Sequence, residues 1–354
     1  MVIILTVVLS IIILLVAVIG LLLHSYINKM NLVPDGDNPV QATNEIPTLV
    51  PEPDEVDPNA QDSPKSDIDT LEDNIKNNLE EKSSPIIYNK NVYNILLIGS
   101  DTRESGGFGR SDVMILISIN KKSKEIIVTS FLRDIYLQIP GKKNNRLNAA
   151  YAFGGADLLM DTLEQNFKIK IDQYASFDFY TFIDVVDAIG GVTIDVTEDE
   201  IPVMNSYLAE INKLLGDEEG ADYLDTPGSL LLNGKQALAY SRNRYVGNGD
   251  FARTERQRKV IEQIFLKGKG LNIIKLKGLL DVVLPDITTN LSEGEIFTFL
   301  LSAPSYMKYD RLQWSIPESG TYKNMTINKM AVLGIDFEEN IKDLQTKIYG
   351  EASE

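Results

Sequence analysis

The sequence predicts an α/β domain, a sheet covered by helices, preceded by one N-terminal transmembrane helix. Three observations carry that prediction. An apolar run opens the chain, a polar acidic stretch follows it, and beyond residue 90 short β-branched runs alternate with amphipathic helical segments. A length of 354 residues leaves room for one large domain or two ordinary ones.

Val2 to Leu23 is apolar except at Thr6, Ser10 and Gly20. As a helix it spans roughly 33 Å, about the hydrocarbon thickness of a bilayer. A cleaved signal peptide would need a basic start, a shorter apolar core and a small-residue cleavage site, and the following LLLHSYINKM offers no such site. Residues 1–28 are therefore read as an uncleaved, single-pass anchor. No Lys or Arg precedes the run and only Lys29 follows it closely, so charge says little about orientation.

Residues 29–90 are read as an acidic flexible linker. From Pro34 to Lys90 the cations are Lys65, Lys76, Lys82 and Lys90, against 14 acidic residues, a composition that cannot bury enough surface to fold alone. Such a tether has a root-mean-square span of roughly 40–45 Å. One piece differs. Ile68, Leu71, Ile75 and Leu79 have helical spacing within SDIDTLEDNIKNNLEEK, which reads either as a short docking or dimerising helix or as a solvated, transient one. The surrounding charge favours the solvated reading.

Residues 91–354 carry the domain. NILLIG, DVMILISI, KEIIVTSFL and GVTIDV read as strands. GGADLLMDTLEQNF, FDFYTFIDVVDAIGG and the basic stretch from Arg253 to Lys267 read as helices, and the acidic segment 198–229 as an insertion or lid.

Composition narrows the chemistry. Asp and Glu number 51 against 34 Lys and Arg, a net charge of −17, which disfavours nucleic acid as a partner. Cysteine is absent and His24 is the single histidine, so disulfides, thiol catalysis, histidine triads and multi-His metal sites are excluded. Carboxylates, arginines, lysines, hydroxyls and a bound ion remain.

Three clusters supply those groups. In NILLIGSDTRESGGFGRSDVMILISIN, Asp101, Arg103, Arg110 and Asp112 surround a glycine-rich loop leaving a strand. Its two carboxylates could share one Mg²⁺ with phosphate oxygens and water, or merely form surface ion pairs. In SFLRDIYLQIPGKKNNRLNAAYAFGG, Arg133 and Asp134 follow a strand at its carboxyl end, where α/β sheets bind ligands, and Arg146 and Asn148 precede a helix start. In ALAYSRNRYVGNGDFARTERQRK, Arg242, Arg244, Arg253, Arg256 and Arg258 crowd together, with Gln257 one helical turn past Arg253. A solvated basic face accounts for Arg258 and Lys259. It accounts less well for Arg242 and Arg244, which end the apolar LLLNGKQALAY and alternate like strand residues. Guanidinium forks suit phosphate oxygens, so the combined pattern fits a pyrophosphate and phosphoryl transfer, which needs neither histidine nor cysteine. No G-x-x-x-x-G-K-[ST] loop is present.

LLIGSDTR, GRSDVMILISIN, SFLRDIYLQIPG, RLNAAYAFGG, FIDVVDAIGGVTIDV, LNGKQALAYSRNR and DFARTERQR occur in that order, and on them the chain resembles the LytR-CpsA-Psr family of cell-envelope proteins. The resemblance implies a central mixed β-sheet flanked by helices, outside the cytoplasmic membrane. It implies a Mg²⁺-dependent phosphotransferase that moves an anionic glycopolymer, wall teichoic acid or capsular polysaccharide, from a polyprenyl-pyrophosphate carrier to peptidoglycan. Asp101 and Asp112 match the family's metal carboxylates. Arg110, Arg133, Arg242, Arg244, Arg253 and Gln257 match positions at the diphosphate, with Arg133, Arg242 and Arg244 as the expected catalytic groups. Arg103 fits a D-x-R pattern, Arg146 stands where the family often has lysine, and Asp134 is one candidate base. The lipid needs an apolar tunnel, for which Phe182, Val186, Ile189 and Ile264 are candidates, although such spacing usually marks core. A polyprenyl-pyrophosphate phosphatase and a non-enzymatic regulator are the competing readings.

Overall fold

The computed structural model describes residues 30–33, 57, 59–80, 85–100, 109–268, 281 and 284–350. The apolar run and the candidate residues Asp101 and Arg103 lie outside the described residues. Among the described residues no helix is long and apolar enough to cross a membrane.

A two-residue strand β1 (Asn31–Leu32) and a helix α1 (Lys65–Glu80) precede the long strands β2 (Val92–Ser100), β3 (Ser111–Asn120) and β4 (Glu125–Phe131). The ribbon β5 (Tyr136–Leu137) and β6 (Asn145–Arg146) leads to α2 (Asn148–Phe167), then β7 (Gln173–Phe177) and α3 (Phe179–Ala188). Strands β8 (Val192–Val196) and β9 (Gly228–Leu232) enclose α4 (Glu200–Leu215), and α5 (Gly234–Arg242) and α6 (Gly249–Gly268) follow. Then come β10 (Thr288–Thr289), α7 (Glu293–Tyr306), β11 (Asp310–Ile316), β12 (Tyr322–Ile327), β13 (Met330–Ile335) and α8 (Phe337–Tyr349).

The main sheet runs β1-β10-β7-β2-β3-β4-β11. It is mixed: β2–β3 and β3–β4 are antiparallel, β2–β7 and β4–β11 parallel. The central strands read as unbroken apolar runs because both faces are covered. Leu96, Ile98, Met114, Leu116 and Ile127 join one core with α1, α2 and α8. Their neighbours Leu97, Val113, Ile115, Ile117 and Val128 face the other way, toward Ile261 of α6 and Phe299 of α7. A separate small core holds α3, α4, α5, the β8–β9 hairpin and part of α6. GVTIDV therefore forms a two-stranded ribbon with β9 rather than a strand of the main sheet.

Two stretches of the expected linker are structured. Leu71 and Ile75 of α1 are buried in the main core beside Leu344 and Ile348, and buried Asn78 donates to the Asn166 carbonyl at 2.9 Å. The acidic residues of α1 stay outward, so the charge that suggested a solvated segment coexists with a docked apolar stripe. Further upstream, Asn31 and Leu32 pair in parallel with Thr288 and Thr289. A third difference concerns LLLNGKQALAY, where Asn233 and Gln236 form a reciprocal capping box that starts α5. Arg242 is thus the last residue of a helix, not part of a strand.

Candidate active site

Strands β3 and β4 are antiparallel, so the start of one lies beside the end of the other. That places Asp112, second in β3, against Arg133, two residues past β4. The Arg133 guanidinium donates to Asp112 Oδ1 at 2.8 Å. Its Nε lies 3.5 Å from Asp134 Oδ1 and 3.9 Å from Asp250 Oδ2. Each of those carboxylates has an arginine of its own: Arg146 lies 3.0 Å from Asp134, and Arg253 lies 3.0 Å from Asp250. Three buried arginines and three carboxylates therefore interlock beneath one surface.

The second wall comes from α5, α6 and the turn between them. Asn243 Oδ1 accepts from the Tyr245 and Val246 N–H groups at 3.1 and 3.3 Å. Buried Arg256 donates to the carbonyls of Asn243 and Val246 at 2.9 and 2.8 Å, and to Glu200 at the start of α4 at 2.7 Å. One guanidinium thereby joins α6, the arginine turn and α4. The Arg242 guanidinium sits 5.2 Å from the Phe179 ring and 4.7 Å from the Tyr207 ring, with Glu210 at 3.3 Å. Tyr207 stacks on Tyr245 at 6.5 Å, and Arg244 lies 5.3 Å from the Tyr245 ring. Aromatic faces attract cations and limit their freedom, so these arginines are held in place by their own surroundings.

Between the walls lies a cavity of about 910 Å³. Asp112, Arg133, Arg242, Arg244, Arg253 and Gln257 line its charged side. Leu97, Val113, Phe177, Phe182, Ile261, Ile264 and Ile287 line its apolar side. Gly99 is also in the lining, and a Cβ there would come within 2.9 Å of Val113. The cavity gathers six of the predicted site residues. Arg110 and Arg146 are not in its lining; Arg146 is nearly fully buried and its guanidinium contacts Asp134. Of the tunnel candidates, Phe182 and Ile264 line the cavity, whereas Val186 and Ile189 are buried in the small core.

The electrostatics follow from burial against pairing. Burial opposes the charge of Asp112, but Arg133, Arg253 and Arg242 outweigh it and hold the carboxyl below the usual range. Burial and a hydrogen bond with Asp250 push Asp134 up to about 7. Asp250, despite burial, is held well below its ordinary value by that hydrogen bond and by Arg253 and Arg133. The two carboxyls behave as one pair that retains a proton near neutrality. Burial, and next the neighbouring Arg133, pull Arg253 down, while Asp112, Asp134 and Asp250 push Arg133 up against its own burial.

Phe179, Tyr207, Glu210, Tyr245 and Asp250 are the groups that sequence reasoning missed. Asp250 carried a signal, three residues before Arg253 on one helix face. Tyr207 carried none, because α4 meets α5 only through tertiary packing.

Among the described residues no group of three or more metal-ligating side chains gathers, so a protein-only cage is not formed there. Asp112 offers one hard oxygen site at the cavity and is already paired on Oδ1 with Arg133. That fits Mg²⁺, which takes one or two carboxylates and completes its shell with phosphate oxygens and water.

The LytR_cpsA_psr family model matches residues 60–347. The polyisoprenyl-teichoic acid–peptidoglycan teichoic acid transferase TagU of Enterococcus faecalis is 38% identical over 241 residues, covering 66% of this chain and 74% of that protein. A solved structure of TagT bound to LI-WTA superposes with a TM-score of 0.59 at 26% identity, covering 75% of this chain and 95% of that one. The LytR-CPS2A-psr family protein YwtF (TagT) with bound octaprenyl pyrophosphate lipid gives a TM-score of 0.55 at 26% identity, over 75% and 95% of the two chains.

Proposed function

Because the chain belongs to the LytR_cpsA_psr family, we propose that it transfers an anionic glycopolymer, of the teichoic acid class, from a polyprenyl-pyrophosphate carrier to peptidoglycan. The observation that supports this most directly is that a single cavity is lined both by a group of arginines and by a group of apolar side chains. A diphosphate with an isoprenoid tail has that same division of character.

In this reading Arg133, Arg242, Arg244 and Arg253 neutralise the diphosphate oxygens, with Gln257 as a further donor. A hydroxyl of the wall glycan attacks the phosphorus next to the glycopolymer. The new P–O bond forms as the bridging P–O bond to the lipid phosphate breaks, the electron pair leaves with polyprenyl phosphate, and the hydroxyl proton is released to solvent. Charge accumulates on the bridging oxygen, and buried guanidinium groups stabilise it more strongly than water does. Asp112, with Asp101 as the second expected carboxylate, would hold Mg²⁺, whose contribution when bound is further neutralisation of phosphate charge. The apolar wall excludes water, the competing acceptor that would make the reaction a hydrolysis. Residues 1–28 would anchor the protein in the cell membrane, with the domain extracytoplasmic.

Mass spectrometry of lipids co-purifying with the membrane-extracted protein tests this. Wild type should retain a polyprenyl pyrophosphate or its glycan conjugate, and Arg242→Ala/Arg244→Ala should lose it while remaining folded. Equal retention by both proteins would remove these arginines from the site.

A further inference from the structure

The strand β1 constrains where the domain stands. Asn31 N–H donates to the Ile287 carbonyl at 3.2 Å, and Val33 N–H donates to Thr289 at 2.9 Å. The Asn31 side-chain amide donates to the Pro285 carbonyl at 2.9 Å. Ile287 itself lines the cavity, and β10 is paired with β7, which ends at the cavity residue Phe177. Asn31 is therefore fastened beside the apolar side of the cavity. It is also only eight residues beyond Leu23, where the apolar run ends. Eight residues reach at most roughly 29 Å when fully extended, and about 12 Å as a helix.

We infer that β1 fastens the domain to a lipid surface, with the Ile287 side of the cavity next to the bilayer, so that the donor lipid passes directly from membrane to cavity. A tether that ranges across 40 Å or so, as the acidic composition suggested, cannot do this, because a free domain presents its apolar cavity to water most of the time. The stitch orients the molecule as well. The edge strand β11 lies at the far end of the sheet from β1, six strand spacings of about 4.8 Å away, or roughly 29 Å. It would point outward, toward the wall. The inference rests on the reading of residues 1–28 as a membrane anchor.

The absence of cysteine makes the test clean. In the full chain, reconstituted in phosphatidylcholine vesicles, Asn31→Cys/Thr288→Cys should form an intrachain disulfide on mild oxidation, since neighbouring strands bring Cα atoms within bonding range. Failure to cross-link while the same pair is reactive to a maleimide would overturn the stitch. Separately, a fluorophore on Leu32→Cys should be quenched by headgroup-labelled lipid several-fold more than one on Arg311→Cys in β11. Inserting about 40 Gly/Ser residues after His24 should abolish that difference and leave the cross-link intact. Equal quenching at both sites without the insertion would mean that the domain ranges freely. A cross-link with no quenching at either site would refute lipid docking by removing the anchor reading, and would leave the lipid mass spectrometry of the cavity unaffected.

Discussion

Asp134 and Asp250 do not line the cavity, yet they set the charge beneath it. With one shared proton the interlocked arginines keep an excess positive charge for an anion; when that proton leaves, the excess falls. Pyrophosphate affinity should therefore weaken as pH rises through about 7, the value to which burial and Asp250 push Asp134. Calorimetric titration between pH 5.5 and 8.5 checks this, with Asp134→Asn as control, because the ligand's own titration persists in the variant while the protein's step disappears. The stability effect has a definite sign. A raised Asp134 binds a proton that the unfolded chain releases, so its contribution is complete below about pH 4 and is lost as pH rises through about 7. Asp112 and Asp250, both held down, act oppositely, and their contribution is lost as pH falls below about 4. A step unchanged in Asp134→Asn would assign the titration to another group.

At the scale of elements, α1 matters most, because it stands where composition predicted a solvated chain. Ile75 is 1% exposed and Leu71 5%. Truncating such a side chain typically costs about 2–5 kcal/mol. Ile75→Ala should lower urea-unfolding stability by that amount, whereas Asp69→Ala on the outer face should change it by less than about 0.5 kcal/mol. Equal, small effects would show that α1 is not docked. The helix packs closely on the C-terminal hairpin: a Cβ on Gly334 of β13 would meet Leu71 at 3.1 Å and Met325 at 2.9 Å. The spacing of Ile68, Leu71, Ile75 and Leu79 was legible from the sequence, but the partner surface was not, since α8 and the hairpin lie more than 240 residues further along. The same distinction explains the rest of the comparison. β2, β3 and β4 were readable because their apolar runs are local. Arg253 and Gln257 were readable because helical spacing is local. Tyr207 and Glu210 reach Arg242 only because α4 packs against α5, and no local pattern encodes that.

For the molecule as a whole, the arginines of the cavity sit inside a chain of net charge −17. At low ionic strength that overall field repels an approaching anion, while the buried guanidinium groups act only at close range. Salt at about 0.1 M shortens the Debye length to about 10 Å and screens the distant field more than the near one. The association rate of pyrophosphate should therefore rise between about 0.01 and 0.1 M salt, opposite to the behaviour of a basic anion-binding protein. Stopped-flow measurement at constant pH decides it, and a rate that falls steadily with salt would show that the local arginines dominate at every distance. The sheet has a further consequence, one of timing. Asn31 is in register with Thr288, across most of the chain. During synthesis β1 is made first among the strands, but it cannot be laid down until β7 and β10 exist to receive it. The edge strand near the start of the sequence therefore waits more than 250 residues for its partner, and until then the growing polypeptide carries an unmatched strand.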